Sequence, residues 1–256
     1  MTRVIALVGI LASMAVVAAA PAVPASVTIS WLGQATFVMS TSTGLRVMID
    51  PTNPGAYNPS PVSGIDVVTL SHEHGDHNYV QLAAGSPLVL RGLASDGFAT
   101  IDQTIKGVHI RTVPTYHDPE QGAKRGRNAV FVFEVGGLRI AHLADLGHRL
   151  DAEQVAKMGP VDILMIPVAG GPTIDPKTAW EVIDQLKARV VIPMHYATAA
   201  VAARAAASGK PPSMAGVDEF LKLAGSSVRV EQSAHTVELT AGKLPSQRTV
   251  MVMKYE

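Results

Sequence analysis

The sequence predicts one α/β domain in which short strands alternate with helices. Short apolar runs bounded by turn residues recur along the chain, and stretches that begin with helix-capping residues lie between several of them. No repeat with a period of 20 to 50 residues is apparent. A chain of 256 residues with 47% apolar content can bury one sizeable core. We therefore expect residues 26–256 to form a single domain, preceded by a separate amino-terminal segment.

The first half of this domain is predicted to begin with an antiparallel meander. Three strand-like runs at 27–33, 35–40 and 45–50 are followed by a proline-rich loop, which cannot be regular helix or central strand. Residues 66–70 are apolar almost throughout, as is typical of a strand that is covered on both faces. The next predicted elements are a helix at 78–82 and strands at 87–91 and 107–113.

The second half contains clearer turn and capping signals. Gly136-Gly137 separates two strand-like runs, which is typical of a β-hairpin. Asp151 is expected to cap a short helix that ends at Met158, and Asp175-Pro176 is typical of the start of another helix. The remaining predicted elements are strands at 128–135, 138–143, 161–168 and 189–193, helices at 177–188 and 217–223, and strands near 228, 237 and 250.

Residues 71–77 read Ser-His-Glu-His-Gly-Asp-His and hold three of the nine histidines of the chain. Imidazole nitrogens and carboxylate oxygens are ligands that zinc, iron and manganese accept. Four such ligands within six positions exceed what one tetrahedral ion needs beside a substrate, so we expect a pair of ions. His72 and His74 share a face of extended chain, and a turn at Gly75 would take Asp76 and His77 to the other side of the site.

Three further candidate ligands lie where an apolar strand ends and a loop begins. They are His117, Asp145 and His195. Because reactive groups of layered α/β folds collect in the loops at one end of a sheet, these side chains are expected to meet residues 72–77. His142 is an alternative to His117, although it lies within a predicted strand. His109 and His235 are interpreted as ordinary strand residues.

The order of these residues resembles the metallo-β-lactamase superfamily, with a His-x-His-x-Asp-His motif followed by single His, Asp and His residues. Shorter motifs resemble a branch of metal-dependent hydrolases related to ascorbate-6-phosphate lactonase. These motifs are Trp31-Leu32-Gly33, Ala35-Thr36-Phe37, Ile49-Asp50-Pro51, Asp145-Leu146-Gly147-His148 and Pro193-Met194-His195-Tyr196. The resemblance runs from about Val27 to about Leu223 and implies a four-layer αββα sandwich. Gln34 and Ala144 depart from it, since related sequences often carry His and Gly there.

The resemblance also implies two divalent ions, with zinc favoured and manganese or iron accepted. One ion would take His72, His74 and His117, the other Asp76, His77 and His195, with Asp145 bridging the two. A hydroxide held between the ions is the expected nucleophile, because metal binding lowers the pKa of water from 15.7 to about 7. Asp76 and His148 are the candidate catalytic residues. His148 could donate a proton to the leaving group, or could hydrogen-bond within its loop.

The expected function is hydrolysis of a small ester, lactone or phosphodiester. A metallo-β-lactamase and a non-catalytic periplasmic metal-binding protein are the alternatives. We do not expect nucleic acid as a partner, because the 21 Lys+Arg residues balance the 21 Asp+Glu residues and leave no net positive charge to attract a polyanion. The basic run at 124–127 could meet an anionic substrate group or form a solvated loop. The sequence leaves the oligomeric state open.

The amino terminus is typical of a secretory signal peptide. Arg3 precedes an uncharged apolar stretch at 4–20, and small residues allow cleavage near Ala20 or Ala25. A periplasmic or secreted protein is therefore expected, with no membrane contact after cleavage. The absence of cysteine is compatible with an oxidising compartment.

Overall fold

Two β-sheets face each other across the main apolar core. The computed structural model describes residues 26–209, 211–212 and 214–255, so the predicted signal segment at 1–25 lies outside the described residues. The strands are β1 (Ser26–Trp31), β2 (Phe37–Thr41), β3 (Arg46–Ile49), β4 (Val67–Leu70), β5 (Leu88–Arg91), β6 (Leu93–Ala94), β7 (Gly97–Phe98), β8 (Asp102–Ile105), β9 (Val108–Tyr116), β10 (Arg127–Val135), β11 (Leu138–His142), β12 (Ile163–Pro167), β13 (Val190–Met194), β14 (Arg229–Ser233), β15 (Thr236–Thr240) and β16 (Thr249–Met253). The helices are α1 (Ala152–Met158), α2 (Pro176–Leu186), α3 (Ala199–Ala207) and α4 (Asp218–Lys222), with 3-10 turns at Val80–Leu82 and Ala241–Lys243.

The smaller sheet has the strand order β15-β1-β2-β3-β4-β5 and the larger sheet β14-β16-β13-β12-β11-β10-β9-β8, while β6 and β7 form a separate hairpin. β1, β2 and β3 are antiparallel neighbours, which confirms the predicted meander. β9 and β11 run in the same direction because each is antiparallel to β10, and β11, β12 and β13 are parallel. The carboxyl ends of β9, β11 and β13 therefore lie at one edge of the larger sheet.

The main core lies between the sheets and includes fully buried side chains from both, such as Trp31 and Phe131. A smaller cluster that includes Val68 covers the other face of the smaller sheet, where Leu82 of the first 3-10 turn packs against it. On the larger sheet, α2 buries four residues of one face. The result is a mixed α/β fold with sheets flanked by helices, as the sequence predicts.

The capping and hairpin signals form the structures that they predict. Asp151 accepts a hydrogen bond from the main-chain N–H of Gln154 at 2.8 Å. The main-chain N–H of Asp151 in turn donates to Oε1 of Gln154, which completes a capping box. Asp175 caps α2 by accepting from the N–H of Thr178. In the hairpin between β10 and β11, Gly136 and Gly137 have φ values of 53° and 85°, which favour glycine.

Five elements differ from the predictions. The helix expected at 78–82 is only the 3-10 turn Val80–Leu82, in which the N–H of Leu82 bonds to the carbonyl of Tyr79 and the N–H of Ala83 to that of Val80. The sequence pattern also missed the short strands β6, β7 and β8, and the helix α3. Alanine favours helix, but the alanine-rich α3 shows no regular alternation of apolar and polar residues. Among the described residues, no helix is long and apolar enough to cross a membrane.

Candidate metal centre

The candidate ligands come from four strand ends, as the sequence predicts. The loop after β4 carries residues 72–77, and the loops after β9, β11 and β13 carry His117, Asp145 and His195. Their side chains form two groups whose ligand atoms lie within 4.8 Å of one another, namely His72, His74, His117 and Asp145 in the first group and Asp76, His77 and His195 in the second. The two sheets therefore contribute jointly to one centre.

In the first group, ring nitrogens and one carboxylate face a common point. Nε2 of His72 lies 3.1 Å from Nδ1 of His74, and Nε2 of His117 lies 2.9 Å from Oδ2 of Asp145. His72, His117 and Asp145 are buried, whereas His74 is exposed. This group therefore has a buried side and one ligand at the protein surface.

The second group is arranged in a similar way. The rings of His77 and His195 stack with their centroids 6.0 Å apart, and Oδ2 of Asp76 lies 3.8 Å from Nε2 of His77. The two histidine side chains are buried, but that of Asp76 is 43% exposed. Asp76 thus stands on the open side of the group.

Asp145 lies between the two groups and presents one oxygen to each. Its Oδ2 faces the first group, 2.9 Å from Nε2 of His117 and 3.8 Å from Nε2 of His72. Its Oδ1 faces the second group, 3.1 Å from Nε2 of His77 and 3.2 Å from Nε2 of His195. A carboxylate in this position can contact two cations at once.

The hydrogen bonds around His77 show that this donor set fits a cation. Nδ1 of His77 lies 3.0 Å from Oδ2 of Asp50, so a neutral ring donates there and directs the lone pair of Nε2 towards Oδ1 of Asp145. Two acceptors then face each other, and both atoms are buried without a hydrogen-bond partner. Only a positive charge between or on these groups resolves that conflict, and a divalent ion supplies it.

For Asp145 and His72 the pKa directions agree with this interpretation, whereas the raised pKa of His77 describes a protonated ring whose extra proton an ion would have to displace. Burial alone would lower the pKa of His77, but the carboxylates of Asp145 and Asp50 raise it well above its usual value. Burial would raise the pKa of Asp145, yet His195 and His77 hold it well below the usual range. Burial, with His77 nearby, lowers the pKa of His72 to about 3. The centre therefore favours an ionised carboxylate and a neutral His72, which are the forms that bind metal.

Asp50 is a functional residue that the sequence reasoning missed. It is fully buried, accepts from the main-chain N–H of Ser71 at 2.8 Å, and accepts from the Ser71 hydroxyl at 2.5 Å. The same hydroxyl lies 2.8 Å from Nδ1 of His72, so Asp50 orients His72 through Ser71 and His77 directly. Asp50 directly follows β3, and the strand-end rule applied to His117 could have found it.

Several residues of the centre have backbone conformations that side chains rarely adopt. Gln34, Asp50, Ala144 and His195 have φ values of 51°, 44°, 49° and 56°. The left-handed conformation of Ala144 is one that favours glycine over a residue with a Cβ. Gly147 is required for another reason, since a Cβ there would lie 2.2 Å from the carbonyl carbon of His117. The loops that carry Asp145 and His117 are therefore in direct contact.

The remaining predicted candidates lie outside the two groups. His148 has both ring nitrogens near main-chain atoms, with Nε2 3.1 Å from the N–H of Tyr116 and Nδ1 2.8 Å from the carbonyl of Arg149. His142 is buried behind the centre, where its Nε2 donates to the carbonyl of Ala35. His109 pairs with Asp102 on the strand surface.

The run at 124–127 begins with an ion pair between Lys124 and Glu120, and the guanidinium of Arg127 lies over the ring of Phe98. Asp118 organises this loop by accepting main-chain hydrogen bonds from four of its residues. The loop that follows His117 is therefore well ordered by its own contacts.

A cavity of about 670 Å³ is lined by Tyr196, the residue after His195, but by none of the candidate ligands. Its walls are mostly apolar and come from the amino-terminal part of α3, the segment before α4 and the end of β16. A volume of this size is typical of small-molecule sites, which span about 300–1,000 Å³.

Comparison with known proteins identifies the family. Residues 28–195 match the family model described as a β-lactamase superfamily domain. The chain is 31% identical to a UPF0173 metal-dependent hydrolase of Thermococcus onnurineus, over 80% of this chain and 95% of that protein. It is 29% identical to a similarly named protein of Pyrococcus abyssi, with the same coverage.

A solved structure shows the same fold. The chain is 35% identical to a Thermotoga maritima protein of the metallo-β-lactamase superfamily, proposed to be a Zn-dependent hydrolase. The match has a TM-score of 0.67 and covers 89% of this chain and 98% of that one. The predicted sandwich architecture is thereby confirmed.

The prediction of a periplasmic or secreted protein is wrong by the same comparison. The similar UPF0173 proteins come from archaea and bacteria and show no sign of a signal peptide. The apolar stretch at 4–20 has the composition of a secretory signal peptide, but composition takes account only of charge and hydropathy.

The fold, the two groups of side chains and the matched sequences agree. The chain belongs to the metallo-β-lactamase superfamily, among the UPF0173 metal-dependent hydrolases.

Proposed function

We propose that this protein is a binuclear metallohydrolase that cleaves a small ester, lactone or phosphodiester. The observation that carries the proposal is the position of Asp145, whose two carboxylate oxygens face two separate histidine groups. The motif resemblance to lactonase-type hydrolases supports a lactone among the substrates. The neutral overall charge supports a small substrate in preference to a nucleic acid.

In this proposal His72, His74 and His117 hold one ion, Asp76, His77 and His195 hold the other, and Asp145 contacts both. When bound, two divalent ions lower the pKa of water and polarise the oxygen of the bond to be cleaved. Zinc is favoured for these nitrogen and oxygen ligands, and manganese or iron is also compatible with them.

The protein itself provides orientation and a proton acceptor. Asp50 and Ser71 fix the rings of His77 and His72, so their Nε2 atoms point into the centre. Asp76 is the most exposed carboxylate there, and Gln34 bonds only to its Oδ2, at 2.9 Å. Its Oδ1 is therefore available to accept a proton from the attacking water. Asp76 thus serves both as a ligand and as a candidate general base.

Ser71 is not the nucleophile in this proposal. Its hydroxyl donates to Asp50 and accepts from the ring of His72, so its hydrogen atom and a lone pair are already engaged. The residue is also completely buried. A water molecule on the open side, near His74 and Asp76, has better access to a substrate.

Metal analysis combined with a hydrolysis screen tests the proposal. The wild-type protein should bind two equivalents of zinc and hydrolyse a member of a panel of esters, lactones, phosphodiesters and nitrocefin. The His72→Ala/His74→Ala variant should lose the ion of the first group and turnover together, whereas His109→Ala, a matched control on the strand surface, should retain both ions and turnover. Wild-type turnover by a double variant that lacks the first ion would contradict the proposal. Tight metal binding without turnover on any substrate would support a binding protein instead.

A further inference from the structure

Gln34 contacts two members of the second group, although it lies 42 residues before Asp76 in the chain. Its side-chain Nε2 donates a hydrogen bond of 2.9 Å to Oδ2 of Asp76. Its main-chain carbonyl accepts from the N–H of His195 at 3.1 Å and from Nε1 of Trp31 at 3.1 Å. One residue of the loop after β1 thus connects the loop after β4 with the loop after β13.

Asp76 needs such a partner more than the other ligands of its group. Its side chain is 43% exposed, whereas those of His77 and His195 are 0% and 3% exposed and are held by packing. An exposed carboxylate on a loop samples several rotamers, and fixing one before metal binding reduces the entropy that binding costs. The Gln34 amide is 5% exposed, and its own position is therefore well defined.

The chemistry of the amide suits this role. A carboxylate oxygen has lone pairs for one hydrogen bond and one metal bond, so Oδ2 can accept from Gln34 and still face His77. An amide is neutral, and the negative charge of Asp76 remains available to a divalent ion. A cationic side chain at position 34 would compete with that ion instead.

We propose that Gln34 is a positioning residue which sets the metal affinity of the Asp76, His77 and His195 group, and this inference rests on the proposed binuclear centre. It acts on Asp76 through its side chain and on His195 through its main chain. Loss of the amide should weaken the binding of one ion and leave the affinity for the other, held by His72, His74 and His117, unchanged. Changes in the partners that orient metal ligands typically reduce metal affinity about 10- to 100-fold.

The experiment is a zinc titration with a competing chelator on wild type and Gln34→Met. Methionine has nearly the same length and volume as glutamine but donates no hydrogen bond, and the main-chain contact to His195 is kept. We expect the weaker class of zinc in Gln34→Met to lose about 10- to 100-fold in affinity. Gln185→Met is the matched control, because the amide of Gln185 donates to the distant carbonyl of Leu150. It should bind both ions like wild type.

A double-mutant cycle shows whether Gln34 acts through Asp76. Asp76→Asn defines which class of zinc belongs to this group, and adding Gln34→Met to it should cause no further loss if Gln34 acts through Asp76. Gln34→Asn, which tolerates the left-handed backbone but has a shorter reach, should reproduce the loss if the methionine variant does not fold. Wild-type affinity for both ions in these variants, or equal loss of both, would overturn the inference while leaving the metallohydrolase proposal intact. A wild-type protein that binds no metal would overturn both.

Discussion

The Oδ2 atom of Asp50 lies 3.0 Å from Nδ1 of His77, and both side chains are completely buried. The same carboxylate holds His72 through the hydroxyl of Ser71. Asp50 therefore supports one histidine of each group, and one of its oxygens lies within 4.8 Å of ligand atoms of His72 and His77. Its carboxylate accepts three hydrogen bonds, from the main-chain N–H and the hydroxyl of Ser71 and from the ring of His77.

Asp50→Asn should reduce the zinc affinity of both groups by about 10- to 100-fold. An amide at position 50 would place an N–H donor against the Nδ1–H of His77 or the hydroxyl of Ser71. The ring of His77, or the ring of His72 that Ser71 orients, would then turn. The measurement is a chelator-competition titration. Asp162→Asn is a suitable control, because its carboxylate accepts a main-chain hydrogen bond from Arg139 far from the centre. Unchanged affinity in Asp50→Asn would show that packing alone orients the two rings.

Asp145→Ala and His72→Ala should differ in the number of ions that they lose. Asp145 faces both groups, so its removal should weaken both ions, whereas His72 belongs to the first group and its removal should empty one site. Elemental analysis after dialysis gives the stoichiometry directly. The same metal loss in both variants would mean that Asp145 does not bridge.

His148→Ala should reduce stability more than catalysis. The hydrogen bonds to Tyr116 and Arg149 leave no free ring nitrogen, and each contributes about 0.5–1.5 kcal/mol. We expect the melting temperature to fall by a few degrees and kcat of the folded enzyme to remain within a few-fold. A loss of 100-fold or more in kcat at unchanged stability would instead identify His148 as the proton donor to the leaving group.

Ala144→Gly should stabilise the protein. The left-handed conformation costs a residue with a Cβ about 1–2 kcal/mol, and the greater freedom of glycine in the unfolded chain offsets about 0.5–1 kcal/mol of that gain. The free energy of unfolding should therefore increase by up to about 1.5 kcal/mol, as measured by thermal or urea unfolding. Ala141→Gly, within β11, should be destabilising. A lower stability for Ala144→Gly would show that neighbouring contacts of the Ala144 methyl outweigh the strain.

His109 provides a pH test that is separate from the metal centre. It lies eight residues before His117 on β9, about 26 Å along an extended strand. The hydrogen bond that its ring donates to the carboxylate of Asp102, and more weakly the carboxylate of Glu134, raises the pKa of His109 above 6.5. The pair thus stabilises the fold below about pH 6.5 and loses this effect as the pH rises through the raised pKa. Asp102→Asn should lower the pKa of His109 by NMR titration and reduce stability more at pH 6 than at pH 9. Equal effects at both pH values would contradict this.

The strand ends could be predicted because apolar runs and turn residues are local signals. Those signals placed His117, Asp145 and His195 at loop starts, and the structure brings them together with residues 72–77. The role of Asp50 was missed, although it also follows a strand, because an Asp-Pro pair is equally typical of a simple turn. Its position in the centre depends on three donors from the loop after β4, two on Ser71 and one on His77.

Gln34 shows the limit of sequence reasoning more clearly. Its contact with Asp76 depends on how β1 and β4 are placed in the smaller sheet and on a left-handed backbone at position 34. Neither is encoded in a local pattern of residue types. The missed helix α3 has the same origin, since a run of alanines has high helix propensity but no apolar face that periodicity could detect.

Each group of candidate ligands combines residues from loops of both sheets. An ion bound in either group would therefore connect the two sheets. His72 follows β4 of the smaller sheet and His117 follows β9 of the larger one, so an ion bound to both would add a link to the packing and to hydrogen bonds such as that from the N–H of Ala129 to the carbonyl of Ser71. Binding free energy of this kind adds to folding free energy. Resistance of the protein to heat and proteolysis should then follow the supply of metal in its surroundings, independently of any substrate.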